Sequence, residues 1–322
     1  MSEGWLIRVA SRAEAGAGHV SRCRVLARAL ARHAPTTFVL DDEGWRERLA
    51  GEPFAVQTAA VASAGALAGA VVDSYDLGEA EWAALRRRAR VLAQLDDFLA
   101  PRSEADVSIN DAPHLEGTHL GGRPALLGPH YALVDPRYVL PQRATAERVE
   151  CVLVSFGASD PGDATGLALA ALGLARLGAK IVVALGSRAP HLASVRRRAE
   201  PLGAELIVDA PDLVAPLARS DLALGAGGVG LLERMAAGVP SLSLALADNQ
   251  RLQLDGAAAK GATRHLGAAA EASAETLSTA IVELAGDRHA REAMARRGRA
   301  LIDGRGGERT ATALLELARR AA

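Results

Sequence analysis

Aromatic residues make up only 3% of this 322-residue chain, and there are just two cysteines, Cys23 and Cys151, one in each half. Both cysteines lie in apolar patterns of the kind that bury a free thiol, which points to a reduced, cytoplasmic compartment rather than a disulfide-stapled scaffold. No charge dominates either: 37 basic residues stand against 38 acidic ones, for a formal net charge of -1. Without a basic stripe to neutralise phosphates, nucleic acid is not an expected partner. The arginine triplets at 86–88 and 196–198 fall inside helical patterns and read as solvated faces. Long hydrophobic runs are missing as well. The longest uncharged stretch, residues 53–72, is mostly Ala, Gly, Ser and Thr, and reads as a loop, a small helix and the strand GAVVDS, not as a membrane span. Residues 5–10 are too short for the apolar core of a secretory signal, and Arg8 interrupts them. The eight histidines are scattered with no Cys or acidic residue at ligand spacing, so no metal site is expected. A Walker loop and a G-x-S-x-G elbow are both absent.

What the chain does have is alternation. Short β-branched runs alternate with longer helical patterns, the signature of parallel sheets covered by helices on both faces, so the fold class is α/β. In the first half strands are expected at 5–10, 36–40, 69–74, 90–96 and 106–109. In the second they are expected at 150–156, 180–185, 205–208, 222–225, 241–246 and near 263–266. Each half therefore has the strand count of a doubly wound, Rossmann-like domain. The segment DPRYVLPQRATAER, with two prolines and no apolar periodicity, reads as a linker, which gives domains of 1–144 and 145–322. At the end of the second, residues 287–322 read as two helices broken by the glycines of DGRGGER. Ligands in open α/β sheets bind beyond the carboxyl ends of the strands, so two such domains facing across a cleft would suit a nucleotide-linked substrate.

Three loops carry the candidate chemistry. In AGAGHVSRCR, residues 15–24, Gly16 and Gly18 permit a sharp turn and place His19 at the mouth of a helix. A neutral imidazole there can accept a proton and act as general base, although a capping histidine on a tight turn has the same pattern. Arg24, Arg28 and Arg32 form a solvated stripe, whereas Arg22 shares a face with Leu26 and Leu30 and is a candidate phosphate or carboxylate contact. In GAGGVGLLER, Gly225, Gly227, Gly228 and Gly230 allow close approach of a ligand, and the amides from Val229 onward suit a pyrophosphate. Glu233 can accept from ribose hydroxyls or simply favour the helix N-terminus. After the strand SLSLALA come Asp248, Asn249 and Gln250, which can hold a sugar or orient a water, or form an Asx turn and helix cap. A third loop, SFGASDPGDAT, offers Gly157, Ser155, Ser159 and Asp160 to the same cleft.

Taken in order, AGAGHVSRC, VVDSY, QLDD, LLGPHYAL, SFGASDP, GAGGVGLLER, AAGVPSLSLALADNQ and LIDGRGGER resemble the UDP-sugar hydrolases of pseudaminic acid biosynthesis and their spore-coat polysaccharide relatives. The resemblance implies a GT-B fold of the MurG type. It also implies a cytoplasmic enzyme without metal or cofactor, which releases UDP from UDP-2,4-diacetamido-2,4,6-trideoxy-β-L-altropyranose. In nonulosonic acid biosynthesis the freed hexose is then condensed into the nine-carbon acid. It makes His19 the catalytic base and Asn249 its helper on substrate or water. Gly157, Ser159, Gly227, Gly228, Val229 and Glu233 would bind the nucleotide. Gly18, Arg22, Asp73, Tyr75, Tyr131, Asp248 and Gln250 would face the sugar and phosphates. The chain departs from the family in carrying Ala158 after Gly157, Gly230 in place of a Ser or Thr, and VDPRY after the YAL segment. A GT-B glycosyltransferase and a non-catalytic nucleotide-sugar-binding protein are the alternatives, and the oligomeric state is left open.

Overall fold

The first strand shows why the halves wind as they do. In β1 (Gly4–Val9), Trp5, Ile7 and Val9 pack into one cluster while Leu6 packs into another on the opposite face. A strand buried on both faces reads as a continuous apolar run, and it requires helices above and below. In this computed structural model, which describes residues 3–11, 17–41, 43–59, 65–116 and 124–321, the chain divides into two units. One comprises residues 1–135 and 304–322, the other residues 136–303.

The first unit continues with α1 (Ala17–Ala31), β2 (Thr36–Leu40), β3 (Ala55–Thr58), β4 (Leu67–Asp73), α2 (Glu79–Arg88), β5 (Ala89–Leu95), β6 (Val107–Asn110) and β7 (Ala125–Leu127). Its seven strands are all parallel, in the order β3-β2-β1-β4-β5-β6-β7. The second unit runs β8 (Cys151–Ser155), α3 (Ala164–Ala175), β9 (Lys180–Leu185), α4 (Leu192–Ala199), β10 (Glu205–Val208), α5 (Val214–Ala218) and β11 (Leu222–Ala226). It continues with α6 (Val229–Ala237), β12 (Ser241–Ala245), α7 (Asp248–Ala259), β13 (Arg264–Ala268), α8 (Ala274–Gly286) and α9 (Arg288–Leu301). Its parallel order is β10-β9-β8-β11-β12-β13. Both sheets thus reverse winding direction once, between β1 and β4 in the first and between β8 and β11 in the second. The crevice beyond such a switch point is where doubly wound sheets hold ligands.

Two strands escape the pattern reading. β3 lies in the stretch expected to be loop and small helix, and β7 spans only three residues. Each is an outermost strand of the sheet, too short to show a period. The segment expected as a linker is not free: Tyr138 is buried, its hydroxyl accepts from Leu213 N at 3.0 Å, and Arg143 pairs with Asp221 at 2.8 Å. The second unit accordingly begins at residue 136, not 145.

The larger correction concerns the last helix, α10 (Gly306–Arg320), which the sequence reading assigns to the second domain. It packs on the first unit, where Ala311, Leu314 and Ala318 join Trp5, Leu26, Phe38 and Val71 in one core. Its apolar stripe matched neither domain preferentially in sequence; what selects the partner is close fit. A Cβ on Gly306 would lie 2.1 Å from the carbonyl oxygen of Ala132, so only glycine lets the helix start so near that backbone.

Leu314 is fully buried, and Leu314→Ala is expected to cost about 2–5 kcal/mol. All three tryptophans, Trp5, Trp45 and Trp82, belong to the first unit, so their fluorescence reports its unfolding. A lowered fluorescence midpoint in the variant is the expected result. An unchanged midpoint would place α10 elsewhere.

Candidate functional site

At the switch point of the first sheet, α1 follows β1 and carries His19 in its first turn, while β4 ends beside it at Asp73. Gly18 lies inside that first helical turn instead of forming the loop expected of it, and Gly16 is outside the described residues. His19 Nδ1 is 2.6 Å from Asp73 Oδ1. The same carboxylate accepts from Arg22 Nε and Nη2, each at 2.6 Å, and from the Cys23 thiol at 3.2 Å. Asp73 has no exposed surface. Burial alone would raise its pKa, but the Arg22 charge and hydrogen bonds, with His19 adding to them, hold it well below the usual carboxylate range. An ionised Asp73 takes the Nδ1 proton of His19 as a hydrogen bond, and this leaves the Nε2 lone pair as the acceptor of the neutral ring. The geometry is that of a histidine oriented by a buried carboxylate for general-base work.

Arg22 is therefore not a free phosphate ligand. The guanidinium spends four donor contacts on protein carboxylates, the other two being to Asp97 at 2.7 and 2.8 Å. Asp73 likewise cannot meet a sugar directly; it positions His19 and Arg22. Tyr75 does reach the surface, being 48% exposed. Its ring meets His19 edge-on at 4.9 Å and Phe98 at 5.1 Å, and its hydroxyl donates to Asp97. Burial first and then Asp97 push this phenol up, so it remains a donor. Tyr131 lines a cavity of about 340 Å³ with His130, Arg305, Glu308 and Arg309.

Two acids escaped the sequence reading. Asp97 ends the QLDD run, and Asp111 follows β6; they lie past the carboxyl ends of β5 and β6, the two strands beyond β4, and a strand's carboxyl end is the signal that marks them. Asp111 is buried, accepts from Leu133 N at 3.1 Å, and is pushed up to about 6, chiefly by burial, with Arg22 opposing and Asp97 adding.

In the second unit the glycine loop and the SFGASDP loop lie at the corresponding switch point, after β11 and β8, which pair directly through Gly225 and Ser155. Gly157 (φ 98°) and Gly228 (φ 73°) adopt left-handed backbone that disfavours other residues. The Gly228 amide is already used, donating to Gln253 Oε1 at 2.6 Å, and Gln253 is a residue no motif singled out. The amides of Val229 and Gly230 are among those a helix leaves without intrahelical partners. Ser159 is exposed, but Asp160 is buried and accepts from the Ala164 and Thr165 amides, capping α3 instead of facing a ligand. Glu233 is half-buried and accepts from the Tyr138 hydroxyl. Asp248 and Asn249 open α7, exposed and half-buried respectively, whereas Gln250 turns back and accepts from Leu246 N at 3.0 Å. Among the described residues no group of three or more His, Cys, Asp or Glu side chains is arranged to hold a metal ion.

Two Rossmann-like parallel-sheet domains with these loops constitute a GT-B fold. Similarity to known proteins agrees. The chain is similar over 195 residues, at 29% identity, to the spore coat polysaccharide biosynthesis protein SpsG of Bacillus subtilis (strain 168). That match takes in 59% of this chain and 58% of SpsG, so the chain spans less than two thirds of that relative. Among solved structures it resembles MurG of Acinetobacter baumannii, with TM-score 0.66 at 13% identity over 97% of this chain and 99% of that one. Anabaena HepE, crystallised with UDP and glucose, matches with TM-score 0.66 at 12% identity over 98% of this chain and 99% of HepE. No family model matches.

The carboxylates of the first site pull stability in opposite directions. Asp73 and Asp97 have folded pKa values below their unfolded ones, so their contribution is complete above pH ~4 and is lost as pH falls through the folded values. For Asp111 the folded value, about 6, exceeds the ordinary 3.8, so the folded state binds the extra proton and stability declines as pH rises between them. Asp111→Asn, which keeps an acceptor for Leu133, should match the native protein near pH 4 and exceed it at pH 7 by roughly 3 kcal/mol. Urea unfolding at both pH values measures this; a stability difference independent of pH would contradict it.

Proposed function

We propose that the protein is a GT-B enzyme acting on a nucleotide sugar, in which His19 activates an oxygen nucleophile at the anomeric carbon and UDP leaves. The observation that carries this reading is the His19–Asp73 pair, 2.6 Å apart, buried and braced by Arg22 at a sheet switch point. Such a pair has one tautomer available and one nitrogen left for chemistry. HepE binds UDP, and the glycine loop of the second unit has the free helix amides a diphosphate needs. In this reading Gly157, Ser159, Gly227, Gly228 and Val229 cradle the phosphates and Glu233, with Tyr138 fixing its carboxylate, reads the ribose. Asn249 and Asp248 hold the sugar or the nucleophile, and the exposed ring of Tyr75 forms a wall beside His19.

We take water as the nucleophile. His19 Nε2 removes its proton as the oxygen bonds to the anomeric carbon; the bond from that carbon to the β-phosphate oxygen breaks, and its electron pair departs on UDP. The motif order shared with UDP-sugar hydrolases and the likeness to SpsG support a diacetamido-trideoxyaltrose donor and a place in nonulosonic or coat-polysaccharide biosynthesis. Transfer to an acceptor hydroxyl is a second reading, favoured by full-length likeness to MurG. Base, donor loop and bond cleaved are the same in both; only the incoming oxygen differs.

The test is UDP release from UDP-2,4-diacetamido-2,4,6-trideoxy-β-L-altropyranose and other UDP-sugars with no acceptor present. Hydrolysis predicts steady release that His19→Ala lowers about 10²–10⁴-fold, the usual contribution of a general base. Release that survives the substitution removes His19 from the chemistry. No release from any donor until an acceptor is added identifies a transferase.

A further inference from the structure

Arg234 in α6 is a buried cation without a counter-ion. It is 3% exposed. Its Nη2 donates to the Ala226 carbonyl at 2.5 Å and to Ser243 Oγ at 3.2 Å, while its buried Nε has no partner. Among the described residues no carboxylate lies within ion-pair distance of it; the neighbouring Glu233 carboxylate is held by Tyr138. The other deeply buried arginine of this unit, Arg291, differs in donating to four backbone carbonyls. Burial lowers the Arg234 pKa to about 10, so the group is still charged at neutral pH. An uncompensated buried charge is costly, and it is retained where something else uses it.

Its position shows what that is. The guanidinium folds back along α6 and lies beneath the turn from β11 into the helix. Nη1 is 2.4 Å from where a Cβ on Gly225 would be, so glycine at 225 is what admits it. One turn before Arg234, a Cβ on Gly230 would meet within 4 Å, beyond its chain neighbours and the backbone of its own helix, this Nη1 alone, at 3.5 Å. The missing side chain thus leaves an open slot beside the helix N-terminus, with a cationic donor at its floor. The partial positive charge of the helix end and the full charge of Arg234 converge on one place.

We propose that Arg234 donates through the Gly230 slot to a phosphate oxygen of a nucleoside diphosphate bound at the glycine loop, taking over the work of the hydroxyl that a Ser or Thr at 230 would supply. The proposal rests on the nucleotide reading of this loop given above. A charged donor is stronger than a hydroxyl and selects for the diphosphate over the nucleoside. It also holds charge at the oxygen on which electrons accumulate as the glycosyl bond breaks.

Calorimetric titration of the full-length protein with UDP, uridine and inorganic pyrophosphate separates the possibilities. Arg234→Met should weaken UDP and pyrophosphate about 10- to 100-fold, change uridine less than 2-fold, and leave the ligand-free melting temperature equal or higher. Gly230→Ala, which closes the slot while improving the helix, should reproduce the loss and serves if Arg234→Met fails to fold. UDP affinity unchanged in Gly230→Ala and in a folded Arg234→Met overturns the proposal and leaves the nucleotide reading intact. Pyrophosphate binding that depends on Arg234 in a protein with no preference for UDP over pyrophosphate upholds the anion site and overturns the uridine nucleotide reading. A native protein that binds none of the three ligands overturns both.

Discussion

The ion pair between Arg22 and Asp73 holds the first unit's site together. It forms where α1 leaves β1 and β4 ends, so a single guanidinium locks helix to sheet at the point where the winding reverses. Buried pairs of this kind repay their desolvation only when every lone pair and proton is used. Here they nearly are: Asp73 accepts from Arg22, His19 and Cys23, and the remaining reach of Arg22 goes to Asp97. From this pair follow the tautomer of His19, the protonated state of Cys23 and the anchoring of the Tyr75 hydroxyl through Asp97. Removing either partner leaves a naked charge in the core of the site, and none of those secondary features would persist.

The second unit solves its switch point in the opposite manner. The first closes its charges on one another, producing a rigid constellation suited to moving a proton. The second leaves a cation and a helix terminus unanswered beneath a bare glycine backbone. Balanced charge fixes geometry; unbalanced charge awaits a ligand. The same strand order thus serves two tasks, because what differs is which side chains end the strands.

Much of the fold could be read directly. Eleven expected strands form, most of them as apolar runs buried along their length, such as β1, β8 and β12, and the glycine loops fall at strand ends as their spacing implied. β3 and β7 were illegible because AVQT and ALL hold too short an apolar run to stand out from the loops around them, whereas β10, an edge strand no longer than β3, showed as the run LIV. The position of α10 was illegible because an amphipathic stripe specifies burial but not against what. At the site, His19 and the glycine loop were visible as motifs. The roles of Arg22 and Asp73 were not, since 51 residues separate them and the register of β1 with β4 brings them together. Arg234 was hidden for a similar reason: a helical arginine reads as solvated until the glycines at 225 and 230 are seen to make room for it.

The return of α10 to the first unit reverses the order in which the chain can be completed during synthesis. Residues 136–303 are contiguous and hold every strand of their own sheet, so this unit can close as soon as it emerges from the ribosome. The first unit, although made earlier, lacks Ala311, Leu314 and Ala318 until residues 306–320 have been translated. Its unfinished apolar face over β4, β5 and α1 must stay in solution for the time needed to make some 170 residues, at the ribosomal pace of about 5–20 residues per second. For that interval of roughly ten to thirty seconds the nascent N-terminal segment is a natural client for a chaperone.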